Sequence, residues 1–222
     1  MAKRKIIAQA DIASGYNTLG LYGSSDRYYV NSAEHIGVIK GNIIDIGCGY
    51  GKFLKEVKYR NPLVKMHGID ICETAVEHCV SEGINARVAN VEDIPFNDNY
   101  FDCAIMSMVI EHVIDQKKAL AEVNRILKTG GLFLLTTDNV WWLWCMSLKN
   151  IMMPWKPKYT RKKQPVNDEF SYRRIRKMVE EAGFSVIKRM KSGPISAGER
   201  FVGKYDWSIF LYKRHWLLCR KQ

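Results

Sequence analysis

Glycines and acids at recurring intervals mark where this chain could hold a ligand. The stretch IIDIGCGYG, from Ile43 to Gly51, joins an apolar run to three glycines at alternate positions, Gly47, Gly49 and Gly51. Glycine at that spacing suits a tight loop that lays bare backbone against a ligand, and the isoleucines suit the buried strand that carries it. Asp70 follows nineteen positions after Gly51, where an acid ending a second strand can accept from both hydroxyls of a ribose lying over the loop. Asp45 closes the first strand with a carboxylate facing the loop, which suits a cationic ligand better than a pyrophosphate. The loop itself, GCGYGK, is neither the GxGxxG of a dinucleotide site nor the GxxxxGK[ST] of a nucleoside triphosphate site.

The elements that must position these residues alternate. Ile43 to Ile46 reads as a strand, Lys52 to Tyr59 as a helix stopped by Asn61-Pro62, and Val64 to Asp70 as a second strand. Thr74 to Glu82 is a helix closed by Gly83, and Ala86 to Ala89 a short third strand. Strand, helix, strand, helix, strand is the signature of a parallel sheet with right-handed crossovers. Asp102 to Met106 is the run expected of a central strand. A helix from Gln116 to Leu127 follows, ended by Thr129-Gly130-Gly131 before a strand from Leu132 to Thr136.

The alternation then breaks. Val140 to Val166 holds the Trp-rich stretch WWLWCMSLKNIMMPW and the basic KPKYTRKKQP, expected to form an insertion over the sheet's edge. A helix from Phe170 to Ala182, a strand from Ser185 to Met190 and a last, antiparallel strand near His215 to Arg220 complete the pattern. Ahead of it all, Ala2 to Gly23 is expected to be an arm, and Ser24 or Ser25 to cap a helix running to Ile39.

The 222 residues fit one globular domain, and 47% hydrophobic content is ordinary for a soluble protein. Thirty-four Lys and Arg against 23 Asp and Glu give a formal +11, favouring an anionic partner: a phosphate-bearing substrate, a membrane surface or nucleic acid. Six cysteines without a CxxC pair or zinc-ligand spacing read as reduced core thiols of a cytoplasmic protein. No apolar stretch matches a signal peptide core or a spanning helix. His78 with Cys72, Glu73 and Cys79 reads as surface and core residues, and no metal is expected.

Taken together, IIDIGCGYG, then GID at Gly68 to Asp70, NVEDIPFNDNYFD at Asn90 to Asp102, MVIEHV at Met108 to Val113 and LKTGGLFLLTT at Leu127 to Thr137 resemble the class I S-adenosylmethionine-dependent methyltransferases, in the family's order and spacing. The nearest flavour is the ubiquinone-type and related small-molecule group. The resemblance implies a Rossmann-like, doubly wound α/β fold: a seven-stranded, mostly parallel sheet with an antiparallel last strand and an inserted lid. It implies one methyltransferase domain over residues 1–222, with an arm at 1–23, a cofactor core at 43–137 and the lid at 140–166.

Carried over by position, the resemblance implies a cofactor loop of Gly47, Cys48, Gly49 and Gly51 whose glycine backbone receives the methionine part of S-adenosylmethionine, with Asp45 supporting it. Asp70 would hold the ribose and Ile71 flank the adenine. Asn90 stands where the family usually has Asp to accept from the adenine amino group, and an amide oxygen can do the same. Val91 would offer its backbone N–H to the ring, Ser107 would face the amino end, and Arg27 matches an arginine that some relatives set against the methionine carboxylate.

Methyl transfer from a sulfonium needs alignment in a dry pocket, and a base only for a weak nucleophile. His112, beyond the fourth strand, is the candidate base, against the alternative that it packs the following helix. Glu111, Asp138 and Asn139 share that end of the sheet. The expected acceptor is a small molecule with an oxygen nucleophile, apolar, lipid-linked or anionic, reached under a lid whose aromatics and basic rim also suit a membrane surface. RNA or protein methylation, a noncatalytic S-adenosylmethionine-binding regulatory module and a dehydrogenase are the competing readings.

Overall fold

A computed structural model describes residues 40–152, 168–192 and 214–222. The expected arm, the helix ending near Ile39, Arg27 and the basic stretch beyond Met152 lie outside the described residues. In chain order the elements are β1 (Asn42–Ile46), α1 (Lys52–Arg60), β2 (Lys65–Asp70), α2 (Glu73–Ser81), β3 (Ala86–Val88), β4 (Phe101–Ser107), a 3-10 turn (Ile110–His112), α3 (Gln116–Ile126), β5 (Leu127–Asp138), α4 (Val140–Met152), α5 (Tyr172–Glu181), β6 (Phe184–Ser192) and β7 (Arg214–Lys221).

The strands form one sheet in the order β3-β2-β1-β4-β5-β7-β6. β1 pairs in parallel with β2 and β4, and β4 with β5, whereas β7 runs antiparallel to both β5 and β6. The order reverses between β1 and β4, so the crevice for a ligand opens at the carboxyl ends of those two strands. β1 is covered on both faces: Ile44 and Ile46 join the larger core with Val91, Leu120 and Phe133, and Ile43 packs with Phe53, Val57 and Trp216 on the other side. A strand buried on both faces has to be a continuous apolar run, which is why IIDI forms it. Asp45 is the exception, 2% exposed in that run.

Helix limits follow from local chemistry. Asp115 caps α3 by accepting from the Lys118 N–H at 3.0 Å, and Ser171 caps α5 by accepting from the Arg174 N–H at 3.3 Å. Ile175 and Val179 are fully buried on α5 and Met178 packs partly beside them. The segment Asn90 to Tyr100 has little regular structure and is stitched down instead. The Arg125 guanidinium donates to the carbonyls of Ile94 and Phe96, both at 2.8 Å, and to Asp98 and Glu122.

One expectation changes. Thr129-Gly130-Gly131 is not a linker ahead of β5 but lies inside it. Pairing steps from Phe101↔Leu127 to Cys103↔Leu132, so three extra residues of β5 bulge out, with Gly130 at φ +77°. The glycines serve the bulge and not the helix end, because Leu127 is already extended. The Trp-rich insertion begins as α4, which follows β5, an interior strand; its residues beyond Met152 lie outside the described residues. Asn139, fully buried, caps α4 by accepting from the Trp141 N–H at 3.2 Å.

Candidate active site

The glycine loop is folded against β2. The N–H groups of Gly47 and Cys48 both donate to the Ile69 carbonyl, at 2.8 and 3.0 Å, and the Gly51 N–H closes a turn on the Cys48 carbonyl at 3.0 Å. Gly47, Gly49 and Gly51 all have positive φ, +74°, +49° and +69°. Their surroundings differ. A Cβ on Gly47 would run into the Val109 side chain, and one on Gly51 into Ile84, whereas one on Gly49 would meet nothing within 4 Å among the described residues. Gly49 therefore leaves open space, among the described residues, where a side chain would stand, and the other two are glycine because the fold fills the place of their side chains.

Asp70 ties the loop to the end of β2. One carboxylate oxygen accepts from the Gly49 N–H at 2.8 Å and the other from the Cys72 N–H at 2.9 Å. A carboxylate has roughly four lone-pair positions, and the N–H groups of Gly49, Cys72 and Ile71 take three of them, leaving acceptor capacity beside the loop. Burial pushes the Asp70 carboxyl above its ordinary range, and the backbone N–H groups of Cys72, Gly49 and Ile71 pull against that shift.

Asp45 lies deeper. Burial pushes its carboxyl up to about 8, and the nearby Asp70 and Cys79 add to the rise. Cys48 and Cys79 lie beneath the loop, their thiols 3.7 and 3.1 Å from the same Gly49 carbonyl oxygen. All six cysteines are free thiols.

Past β3, the Asn90 side-chain oxygen accepts from the Glu92 N–H at 3.0 Å, fixing a tight turn and keeping one lone pair for another donor. Val91 follows with its side chain in the core. Ile71, half-buried, sits between Asp70 and the start of α2. At the end of β4, Ser107 shares a hydrogen bond with the Thr136 hydroxyl at 3.2 Å. Met108 then takes φ +59°, a left-handed turn uncommon outside glycine, and its N–H donates to the Thr136 carbonyl at 3.0 Å. That turn brings Val109 onto Gly47. The loops after β1 and β4 thus pack together at the switch point.

His112 ends the 3-10 turn, half-buried, with its N–H on the Val109 carbonyl at 2.8 Å. Glu111 points inward, 1% exposed, and accepts from the Thr137 hydroxyl at 3.0 Å. It is a structural acid and not an accessible base. Asp138 faces Arg214 at 3.6 Å and Asn139 is the α4 cap, so neither is placed as a free polar loop. His78 leans against the Tyr50 ring at 5.0 Å between centroids, and among the described residues no cluster of His, Cys, Asp or Glu is arranged for a metal. Sequence reasoning missed the Met108 turn, the Thr136 and Thr137 contacts and the meeting of Cys48 with Cys79. None of these leaves a local trace in the sequence.

Burial of two titratable groups sets a pH dependence. His215, whose Nε2 lies 3.2 Å from the Phe170 carbonyl, is lowered by burial to about 4. Between about pH 4 and 8 the folded chain keeps a proton on Asp45 that the unfolded chain has lost, so stability falls as pH rises through that window. For His215 the unfolded ring takes up a proton below about 6.5 and the folded one resists, so its contribution is lost as pH falls toward 4. Thermal unfolding followed across pH should show both slopes; Asp45→Asn should flatten the alkaline side and His215→Gln the acid side. Unchanged slopes in the two variants would rule out these groups as the source.

A sheet of this order with one antiparallel strand, a glycine loop after β1 and an acid ending β2 defines a Rossmann-like cofactor-binding protein. More narrowly, the chain belongs to the class I S-adenosylmethionine-dependent methyltransferase family: the family model described as a methyltransferase domain matches residues 11–189. Among curated relatives, a ubiquinone/menaquinone biosynthesis C-methyltransferase of Geotalea daltonii is 36% identical over 135 residues, 57% of each chain. A probable tRNA methyltransferase 9B of Bos taurus is 33% identical over 123 residues, 51% of this chain and 25% of that protein. The chain thus aligns with little more than half, or only a quarter, of these relatives' lengths.

Solved structures share the fold. The putative methyltransferase complexed with the Trm112 activator of Haloferax volcanii has a TM-score of 0.68 at 18% identity, over 96% of both chains. An S-adenosylmethionine-dependent methyltransferase of Thermotoga maritima, described as a possible histamine N-methyltransferase, has 0.65 at 20%, over 89% of both.

Proposed function

We propose that the chain transfers a methyl group from S-adenosylmethionine to an oxygen nucleophile on an apolar or lipid-linked small molecule. The open space beside Gly49 and the remaining acceptor capacity of Asp70 fit the cofactor. Asp70 would accept from the ribose hydroxyls, Ile71 would flank the adenine, and Asn90 and the Val91 N–H would meet its edge. The glycine loop, Cys48 included, with Ser107 and Arg27, would hold the methionine end. The bound cofactor supplies an electrophilic methyl on a cationic sulfur.

What the chain adds is alignment, exclusion of water and, at His112, a base for the acceptor's hydroxyl proton. The observation that carries the acceptor class is α4: thirteen residues containing one charged residue, Lys149, and beginning one residue beyond the ligand end of β5. An acceptor approaching that end of the sheet would pass an apolar helix.

A second reading, methylation of RNA, draws on the tRNA methyltransferase relatives and the +11 charge. Incubating the chain with methyl-labelled S-adenosylmethionine and either a lipid extract or total tRNA separates the two. Label in the organic phase, with His112→Asn lowering kcat about a hundredfold or more and removing the acidic limb of the pH profile, is the expected result. Label in RNA alone would replace this reading with the second, and cofactor binding without transfer to either would favour a regulatory module.

A further inference from the structure

α4 turns an apolar stripe outward. At 100° per residue, Trp141, Trp144, Cys145, Leu148, Ile151 and Met152 fall within one third of the helix circumference. Ile151 is 74% exposed, Met152 70% and Trp144 55%, while Leu143 on the far side is 5% exposed and anchors the helix to the protein. A soluble surface seldom gathers this much aliphatic and aromatic area on one short element without using it.

The sequence around the stripe carries one sign of charge. From Asn139 to Asn167 there is no Asp or Glu, and Lys149, Lys156, Lys158, Arg161, Lys162 and Lys163 contribute six positive charges. An apolar helix face followed directly by a basic run complements a surface that is both apolar and anionic. The helix is too short to cross: thirteen residues reach about 20 Å against a hydrocarbon core of about 30 Å, and no described helix meets the length and hydropathy of a span.

We propose that α4 is an interfacial membrane helix, laying the Trp144–Leu148–Ile151–Met152 face onto a bilayer that contains anionic lipid. Two features favour a bilayer over other occupants. A second copy would bring two six-fold positive segments together, and a nucleic acid would pair with the basic residues but leave aliphatic Ile151 and Met152 in water. Because α4 starts at the ligand end of β5, docking would hold the mouth of the cofactor site at the lipid surface. The inference rests on the proposed apolar acceptor only for that consequence; vesicle binding is read without turnover, so the two proposals fail separately.

The test is co-sedimentation of the full chain with phosphatidylcholine vesicles, with and without phosphatidylglycerol, together with tryptophan emission. Binding should be about tenfold or more tighter to the anionic vesicles, weaken with salt and shift the emission to the blue. The double variant Ile151→Asp/Met152→Asp should lose that binding at least tenfold while its thermal shift with S-adenosylmethionine matches the wild type, which shows it is folded. Equal vesicle binding by wild type and variant overturns the proposal, as does equal binding to neutral and anionic vesicles. Binding of RNA without vesicles, or a solution dimer lost in the same double variant that binds no vesicles, assigns the face to another occupant and overturns it too.

Discussion

Asp70→Ala should weaken S-adenosylmethionine binding by roughly a hundredfold to ten-thousandfold. Two hydroxyls of a ribose on one carboxylate make charge-assisted hydrogen bonds of about 1.5–3 kcal/mol each, and about 1.4 kcal/mol is tenfold in affinity. The carboxylate also accepts from the Gly49 and Cys72 N–H groups, so the alanine variant loosens the loop as well as removing the acceptor.

Asp70→Asn separates the two roles. Its amide oxygen can still accept from one loop N–H, so stability should be closer to wild type while affinity remains well below it. Calorimetry with S-adenosylmethionine and S-adenosylhomocysteine, and thermal shift with NAD as the control ligand, read the outcome. Wild-type affinity in Asp70→Ala would remove the ribose from this position, and a response to NAD alone would point to a dehydrogenase instead.

The parts legible in the sequence are those set by short-range pattern. IIDI had to be a strand buried on both faces, and Asp70 had to end the next one, because period and spacing are local and the sheet order follows from right-handed crossovers. What stayed hidden depends on contacts between distant residues. Glu111 looks like a base in MVIEHV and becomes a buried acid only because Thr137, 26 residues later, donates to it. Thr129-Gly130-Gly131 carries the composition of a helix stop, and its use as a bulge is decided by Phe101 and Cys103 on the neighbouring strand. Cys48 and Cys79 show no motif, since what unites them is the Gly49 carbonyl lying between a loop and a helix. Met108 is left-handed without being glycine or asparagine, and no propensity argument selects it.

The glycines of the loop give the sharpest contrast between fold and function, and alanine at two of them should fail in opposite ways. Gly47→Ala places a methyl in a left-handed conformation, costing about 1–2 kcal/mol, and drives it into Val109, where overpacking costs about 1–3 kcal/mol more. At 222 residues, about 2–4 °C per kcal/mol puts the expected fall in melting temperature at roughly 5–20 °C. Val109 cannot easily give way, because Met108 is held by Thr136 and the Val109 carbonyl by His112.

Gly49→Ala carries the conformational cost alone, since among the described residues its methyl meets no atom within 4 Å, and its melting temperature should fall by only a few degrees. That same methyl would occupy the space in which the loop receives its ligand, so affinity for S-adenosylmethionine should drop about tenfold or more. Val109→Ala should partly rescue the stability of Gly47→Ala and do nothing for Gly49→Ala, because only the first clash involves that side chain. If Gly49→Ala bound the cofactor as tightly as wild type, the open space beside Gly49 would not be where the ligand lies. The reciprocal pattern, stability lost at one glycine and affinity at the other, would show that a single loop motif divides its glycines between closing the fold and admitting the ligand.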